Sequence, residues 1–518
     1  MNKIKKLGNL LKEIRPFDID ELLGKHRRRS LAQVGSLTIF NQATSAGIAL
    51  LTAVILSRLL PPEVFGLLAM VVFFQMLFQA LGAAGMVESV IQAKELKESQ
   101  LSSLYWCNAA LGGFLGGALL LGAEPIAAFY EEPELVAICR AMGALFFVNN
   151  LCRIHTALLK RNMKTELYLV TDLVPQFMQL PAAILLALNG FGVWSIVLGS
   201  AVAVATRQIM VMCYVRWSPG RFGSFEEVKP MLKYSIRATA GGFADFLSLN
   251  FQTLALGKFA SPADVGFYNR AQTLFQRPMN QFSRPLIGVL LPSMASIQCD
   301  RVRLMHLVNR TTWLLCLIML PFTIIMMVFG DWVAVLLLGP SWSITGDVIQ
   351  WIALAQLPTV IGLPLVRANA AIGRPARAFP VQVAMIPAIV VTVIITAADG
   401  PVAVAMYLAF LRLLAYSVAV YVNLKGFGVG YKIYLLPTIK LLLFTGVILL
   451  LVTASRNIVP ADLIDPLKVG VCVLSLPILL VVFWGFYLTD EVGKIVLTWI
   501  SKKFQTLLAK KYPITENE

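Results

Sequence analysis

Hydrophobic positions fall along this chain in long blocks. Apolar runs of about 20 residues follow one another from near residue 31 to residue 488, with short polar breaks between them. Wound as a helix, a run of that length crosses a hydrocarbon core of about 30 Å. Fourteen transmembrane helices are predicted, near 31–57, 63–91, 101–122, 135–159, 166–188, 191–215, 234–257, 263–292, 305–329, 345–370, 376–397, 401–423, 434–453 and 467–488. Basic residues favour alternate gaps. The gaps predicted to be cytoplasmic, with both tails, hold 29 Lys and Arg, against only Arg58, Lys258, Arg456 and Lys468 in the others. One of those others is acidic, with Glu124, Glu131, Glu132 and Glu134. Cytoplasmic loops retain positive charge, so an even span count with both termini cytoplasmic is expected.

The blocks also repeat at an offset of 200 residues. Arg58-Leu-Leu-Pro-Pro62-Glu-Val-Phe-Gly66 aligns with Lys258-Phe-Ala-Ser-Pro262-Ala-Asp-Val-Gly266. Both copies fall on a turn between the first two spans of a half. Proline and glycine shape the turn, and Arg58 or Lys258 marks the external interface. A duplicated six-span unit explains this placement, and an even number of spans gives both copies one orientation. The predicted organisation is a basic cytoplasmic tail (1–30), a first lobe (31–216), a cytoplasmic linker (217–233), a second lobe (234–423), two additional spans (424–488) and an amphipathic cytoplasmic tail (489–518). In that last segment Val492, Ile495, Val496 and Trp499 recur at helical spacing beside Lys502 and Lys503, the pattern of an interfacial helix.

One predicted span is not lipid-like. Gly266–Pro285 carries Arg270, Arg277 and Arg284, seven residues apart. Seven residues is close to two helical turns, so the three share a face about 21 Å long. Gln276, Asn280 and Gln281 lie among them. Charge at membrane depth is costly, so this face should meet water, protein or an anionic ligand. Arginines that only pair structurally or snorkel are the alternative. The first half has Met70, Leu77 and Ala84 at the equivalent places. Asp245, mid-span in GGFADFL, is a candidate either for ion coupling or for a counter-ion to the ladder. Arg412, deep in LAFLRLLAY, is a further cavity candidate, and Asp172 is expected to pair with Arg153. Guanidinium suits phosphate or carboxylate, and the amides suit a sugar.

Composition removes other classes. The net charge of +16 could suggest nucleic acid, but the basic residues sit in gaps of a chain that is 58% hydrophobic and 14% charged. The phosphate-loop signature is missing, because Gly24-Lys25 and Gly257-Lys258 lack its glycine spacing and hydroxyl. Three histidines and seven scattered cysteines without a C-x-x-C pair indicate neither metal nor disulfide framework. No catalytic apparatus and no cofactor are indicated.

ILSRLLPPEVFGLLAM (Ile55–Met70), GFYNRAQTLFQRP (Gly266–Pro278) and LLPSMASI (Leu290–Ile297) resemble the polysaccharide transporter family of the multidrug/oligosaccharidyl-lipid/polysaccharide (MOP) flippase superfamily, in its colanic-acid-exporter-like branch. The resemblance spans about 31–450. It implies two six-helix lobes in a V around a central cavity, plus two C-terminal helices, in the bacterial inner membrane. The implied task is flipping an undecaprenyl-diphosphate-linked oligosaccharide for exopolysaccharide, capsule or O-antigen synthesis, coupled to an ion gradient. Arg270, Arg277 and Arg284 would then hold the diphosphate, with a polysaccharide polymerase and export machinery as candidate partners. Peptidoglycan-precursor flippases and drug antiporters of the same superfamily, a scaffold for a polymerase, and a membrane glycosyltransferase are the competing readings.

Overall fold

The computed structural model describes residues 31–82, 89–91, 96–161, 165–223, 246–374 and 379–425, with separate positions elsewhere. The described chain is helical, with short turns between elements apart from the non-helical segment 215–223. In order the helices are α1 (Leu31–Leu59), α2 (Pro62–Gly82), α3 (Glu98–Leu121), α4 (Ala123–Tyr130), α5 (Leu135–Leu151), α6 (Arg153–Arg161) and α7 (Thr165–Leu188). They continue with α8 (Val193–Tyr214), α9 (residues 246–259), α10 (Pro262–Ala295), α11 (Arg301–Leu338), α12 (Ser343–Ala371), α13 (Phe379–Thr396) and α14 (Pro401–Lys425). Among the described residues, nine stretches are long and apolar enough to cross a membrane. The span predicted at 467–488 lies outside the described residues, as do both tails. Of the span at 434–453 only separate positions are described, Tyr434 among them, its hydroxyl donating to the Ile361 carbonyl at 2.9 Å.

The repeated turns take the same form. In each copy two residues separate the end of the first helix from the proline that opens the next, at Pro62 and at Pro262. Proline fits a first helical position because its missing N–H would have had no partner there. The second copy is also capped. Ser261 Oγ accepts from Asp264 N (3.2 Å), while the Asp264 carboxylate accepts from Ser261 N (3.1 Å) and Oγ (2.7 Å).

Two compact units divide the described chain. The first contains the residues up to Gln281 with Leu337–Val348 and Gln382–Leu411; the second contains Phe282–Leu336, Ile349–Val381 and residues from Arg412 on. In the first unit α7 packs along α8 and α1, and α3 along α5. The α3–α5 approach is close because Gly116 and Gly143 face each other; a Cβ on either would lie 2.8 Å from the other's carbonyl oxygen. A polar network joins α1, α7 and α8. Asp172 accepts from Arg207 at 3.0 Å and from Asn41 at 3.2 Å, and Ser45 donates to Gln176 at 3.0 Å. The partner expected for Asp172 was Arg153. Arg153 instead reaches Asn150 at 3.4 Å, on the helix before its own, because packing places α8 rather than α6 beside Asp172.

The start of the expected linker is strapped to this unit. Gly220 N and Gly223 N donate to Ser102 and Ser103 (3.0 and 2.8 Å), and the Trp106 indole donates to the Gly220 carbonyl at 2.9 Å. Trp217 is buried against His155, their rings 5.1 Å apart. In the second unit α11 changes direction at Phe329 (φ −115°, ψ 18°). Buried Asn369 donates to buried Asn423 at 3.0 Å, tying α12 to α14.

Candidate functional site

Helix α10 is one 34-residue element, about 51 Å long. Its burial follows the helical period. Tyr268, Ala271, Leu274, Phe275 and Met279 are buried, whereas Arg277 and Asn280 are exposed, with Asn269, Arg270, Thr273, Gln276 and Gln281 intermediate. Arg270, Thr273, Arg277 and Asn280 follow at intervals of three and four residues, so they form one stripe along the helix, separate from the row of Tyr268, Ala271, Phe275 and Met279. Gln272 points elsewhere and donates to the Leu249 carbonyl of α9 at 3.2 Å.

The two described ladder arginines differ. Arg277 is exposed, and no described carboxylate or hydrogen-bond acceptor engages it. Arg270 lies flat on the Phe65 ring of α2, its guanidinium carbon 3.7 Å from the ring centroid. Its Nε is buried with no hydrogen-bond partner. A guanidinium without an anionic partner at membrane depth costs about 3 kcal/mol or more, and neither Arg270 nor Arg277 has such a partner among the described residues. Arg284 lies further along α10; its side chain is outside the described residues, as is Asp245. Arg412 is half-buried near the middle of α14.

The repeat residues meet one another. A methyl group on Gly66 would overlap the carbonyl oxygen of Pro262, and one on Gly266 would overlap that of Pro62. Helices α2 and α10 therefore cross in backbone contact, related by the duplication seen in the sequence. Beside the crossing, Trp342 is buried edge-on to Phe65 (5.4 Å) and Phe267 (5.9 Å), and its indole donates to the Ser57 carbonyl at 2.8 Å. Arg58 donates to the Leu337 carbonyl at 3.0 Å, and Lys258 pairs with Glu131 at 2.7 Å. Phe65 and Trp342 carry no signal of their own in the sequence. The repeated proline and glycine did mark the crossing beside which they sit.

A family model described as polysaccharide biosynthesis protein matches residues 55–346, more than half of the 518 residues. The chain belongs to this family. Among curated relatives it is 24% identical over 324 residues to the succinoglycan biosynthesis transport protein ExoT of Rhizobium meliloti (strain 1021), covering 62% of this chain and 65% of that protein. It is 24% identical over 321 residues to the lipopolysaccharide biosynthesis protein WzxC of Escherichia coli (strain K12), again covering 62% and 65%. The chain thus spans just under two-thirds of the length of these relatives. A solved structure of the lipid II flippase MurJ, in an inward closed conformation, superposes with a TM-score of 0.68 at 13% identity over 88% of this chain and 99% of that one. The fold, helical and multi-span in the described residues, resembles that of this flippase and of a multidrug resistance MATE family transporter of the MOP superfamily, the latter with a TM-score of 0.59 at 13% identity over 74% of this chain and 94% of that one. The chain carries Arg270 and Arg277, which have no anionic partner among the described residues, on the helix that crosses its own repeat partner.

Proposed function

We propose that this chain is a flippase that moves an undecaprenyl-diphosphate-linked oligosaccharide from the cytoplasmic to the periplasmic leaflet by alternating access. The observation that carries this reading is the α10 stripe, on which Arg270 and Arg277 have no anionic partner among the described residues while Thr273, Gln276 and Asn280 lie around them. Arginine binds phosphate through planar, permanently charged donors, and the amides and hydroxyl offer hydrogen bonds to sugar. Membership of the family, and relatives named for succinoglycan and lipopolysaccharide biosynthesis, support a glycan cargo. A peptidoglycan-precursor flippase would bind the same diphosphate. A carrier of cationic drugs would not be served by this charge.

In this reading both termini are cytoplasmic, the Pro62 and Pro262 turns are external, and Arg284, Gln281, Arg412 and Asp245 are further candidates for the cargo path and its coupling. The lipid tail stays in the bilayer while the diphosphate passes along the arginines.

Complementation tests it. In a bacterium lacking this gene, Arg277→Ala at matched expression should abolish surface polymer and accumulate lipid-linked repeat units, and Arg277→Lys should restore part of the output. Normal polymer from Arg277→Ala would make that arginine structural and reopen the scaffold reading.

A further inference from the structure

The contact between Arg270 and Phe65 joins the two repeats. Phe65 lies next to Gly66 on α2, and Arg270 lies one turn beyond Gly266 on α10, so both side chains sit at the crossing where the two backbones touch. The ring is buried and braced by Trp342, which the Ser57 carbonyl fixes in turn. The guanidinium covers the ring's face at 3.7 Å, the geometry in which a cation gains about 0.5–2 kcal/mol from an aromatic quadrupole. The stack is also one-sided. The duplication places Met70 opposite Arg270 and Val265 opposite Phe65, and that pair, though buried, has neither charge nor ring. One half supplies the cation and the other its aromatic seat, so the contact exists only while α2 and α10 are crossed. Arg277, two turns away, has no such seat among the described residues.

We propose that Phe65 is a positioning residue that stows Arg270 while the Gly66–Gly266 crossing is closed, so that the ladder offers Arg277 first and releases Arg270 only when the repeats part. This rests on the reading of the stripe as a diphosphate site and adds its order of use. A ligand shifts a conformational equilibrium only by binding the two states differently. With Arg270 stowed, the closed crossing withholds one guanidinium; opened, it adds that group to the stripe, and the buried Nε that lacks a partner gains access to an oxygen. Diphosphate then favours opening, and the cargo is drawn toward Pro62 and Pro262 rather than held at a single site.

The test has two arms on the full-length protein with its native cysteines replaced. In the first, spin labels at Glu131→Cys and Lys258→Cys, whose native side chains meet beside the crossing at 2.7 Å, report the ratio of open to closed without ligand. Phe65→Leu keeps apolar volume and removes the π face. It should raise that ratio roughly two- to thirtyfold. Arg270→Met should do the same, the double variant should add nothing further, and Phe65→Tyr should restore the native ratio. An unchanged ratio, or a Phe65→Leu effect that persists in full with Arg270→Met, overturns the proposal. In the second arm inorganic diphosphate is titrated. Phe65→Leu should tighten its binding by a similar factor, and Arg270→Met should erase the gain. Coupling between the two residues without any diphosphate binding would leave the stack as a latch and bring down the diphosphate reading. Diphosphate binding without coupling would do the reverse.

Discussion

Gly66 and Gly266 each occupy the space where the other repeat's proline carbonyl leaves no room for a side chain, Gly66 against Pro262 and Gly266 against Pro62. This reciprocity makes the crossing of α2 and α10 a backbone contact between the duplicated hairpins and the setting of the Arg270–Phe65 stack. Alanine at either glycine must push the backbones apart. Gly66→Ala or Gly266→Ala should lower the stability of the purified protein by about 1–3 kcal/mol, read as a drop in melting temperature. Gly47→Ala, where a Cβ would meet nothing within 4 Å, should leave it unchanged or raise it slightly. Equal melting of all three variants would deny the contact.

Asp172 and Arg207 form a half-buried pair, with side chains 21% and 37% exposed. Solvent screening keeps such a pair modest, with a coupling of about 1 kcal/mol. Asp172→Leu or Arg207→Leu alone strands a charge between α7 and α8, whereas the double change removes both charges. Each single variant should therefore melt below the double variant. Additive losses would mean that the two do not interact.

Trp342 bridges to the Ser57 carbonyl from a fully buried site. Trp342→Phe keeps most of the packing and loses the donor, for an expected cost of about 1 kcal/mol. Trp342→Ala also leaves a cavity and should cost about 3–5 kcal/mol. Thermal melts separate the two. A Phe variant as damaged as the Ala variant would put the whole effect on the hydrogen bond.

Much of this organisation was legible in the chain because it rests on local polarity and on repetition. Arg270, Arg277 and Arg284 stand out in an apolar background; of these Arg277 is exposed and Arg270 half-buried, and the Arg284 side chain lies outside the described residues. The repeated Pro–x3–Gly also pointed to a place that matters. What stayed hidden depends on which helices become neighbours. Arg207 rather than Arg153 reaches Asp172, because α7 packs against α8 over most of its length. Spacing along one helix could not reveal the Phe65 seat of Arg270, since its two halves lie about 200 residues apart. Trp342 was equally unreadable, being one aromatic among many until the fold seats it on Ser57.

Lys258 hydrogen-bonds and pairs with Glu131, which closes α4 in the left-handed region at φ 62°, and this holds the Glu131 carboxyl below its ordinary range. A carboxylate lowered in this way keeps its contact above the ordinary value and loses it only as pH falls through the lowered one. The pair should thus survive acidification through the ordinary Glu range, near pH 4.3, and break in stronger acid. Difference infrared spectra against Glu131→Gln would follow the carboxylate band. Lys258→Met should move its midpoint upward, and an unmoved midpoint would show that Lys258 is not the cause.

The central claim is that the arginine stripe of α10 carries a lipid-linked diphosphate across the bilayer. The most direct measurement is the rate at which an undecaprenyl-diphosphate-linked oligosaccharide becomes accessible to a glycosidase on the far side of vesicles containing the purified protein. Wild type should accelerate that crossing over protein-free vesicles. Arg277→Ala should slow it about tenfold or more, the worth of one charge-assisted hydrogen bond, and Arg277→Lys should recover part of the rate. Equal rates for wild type and Arg277→Ala, or no acceleration by wild type with any such cargo, would contradict the account.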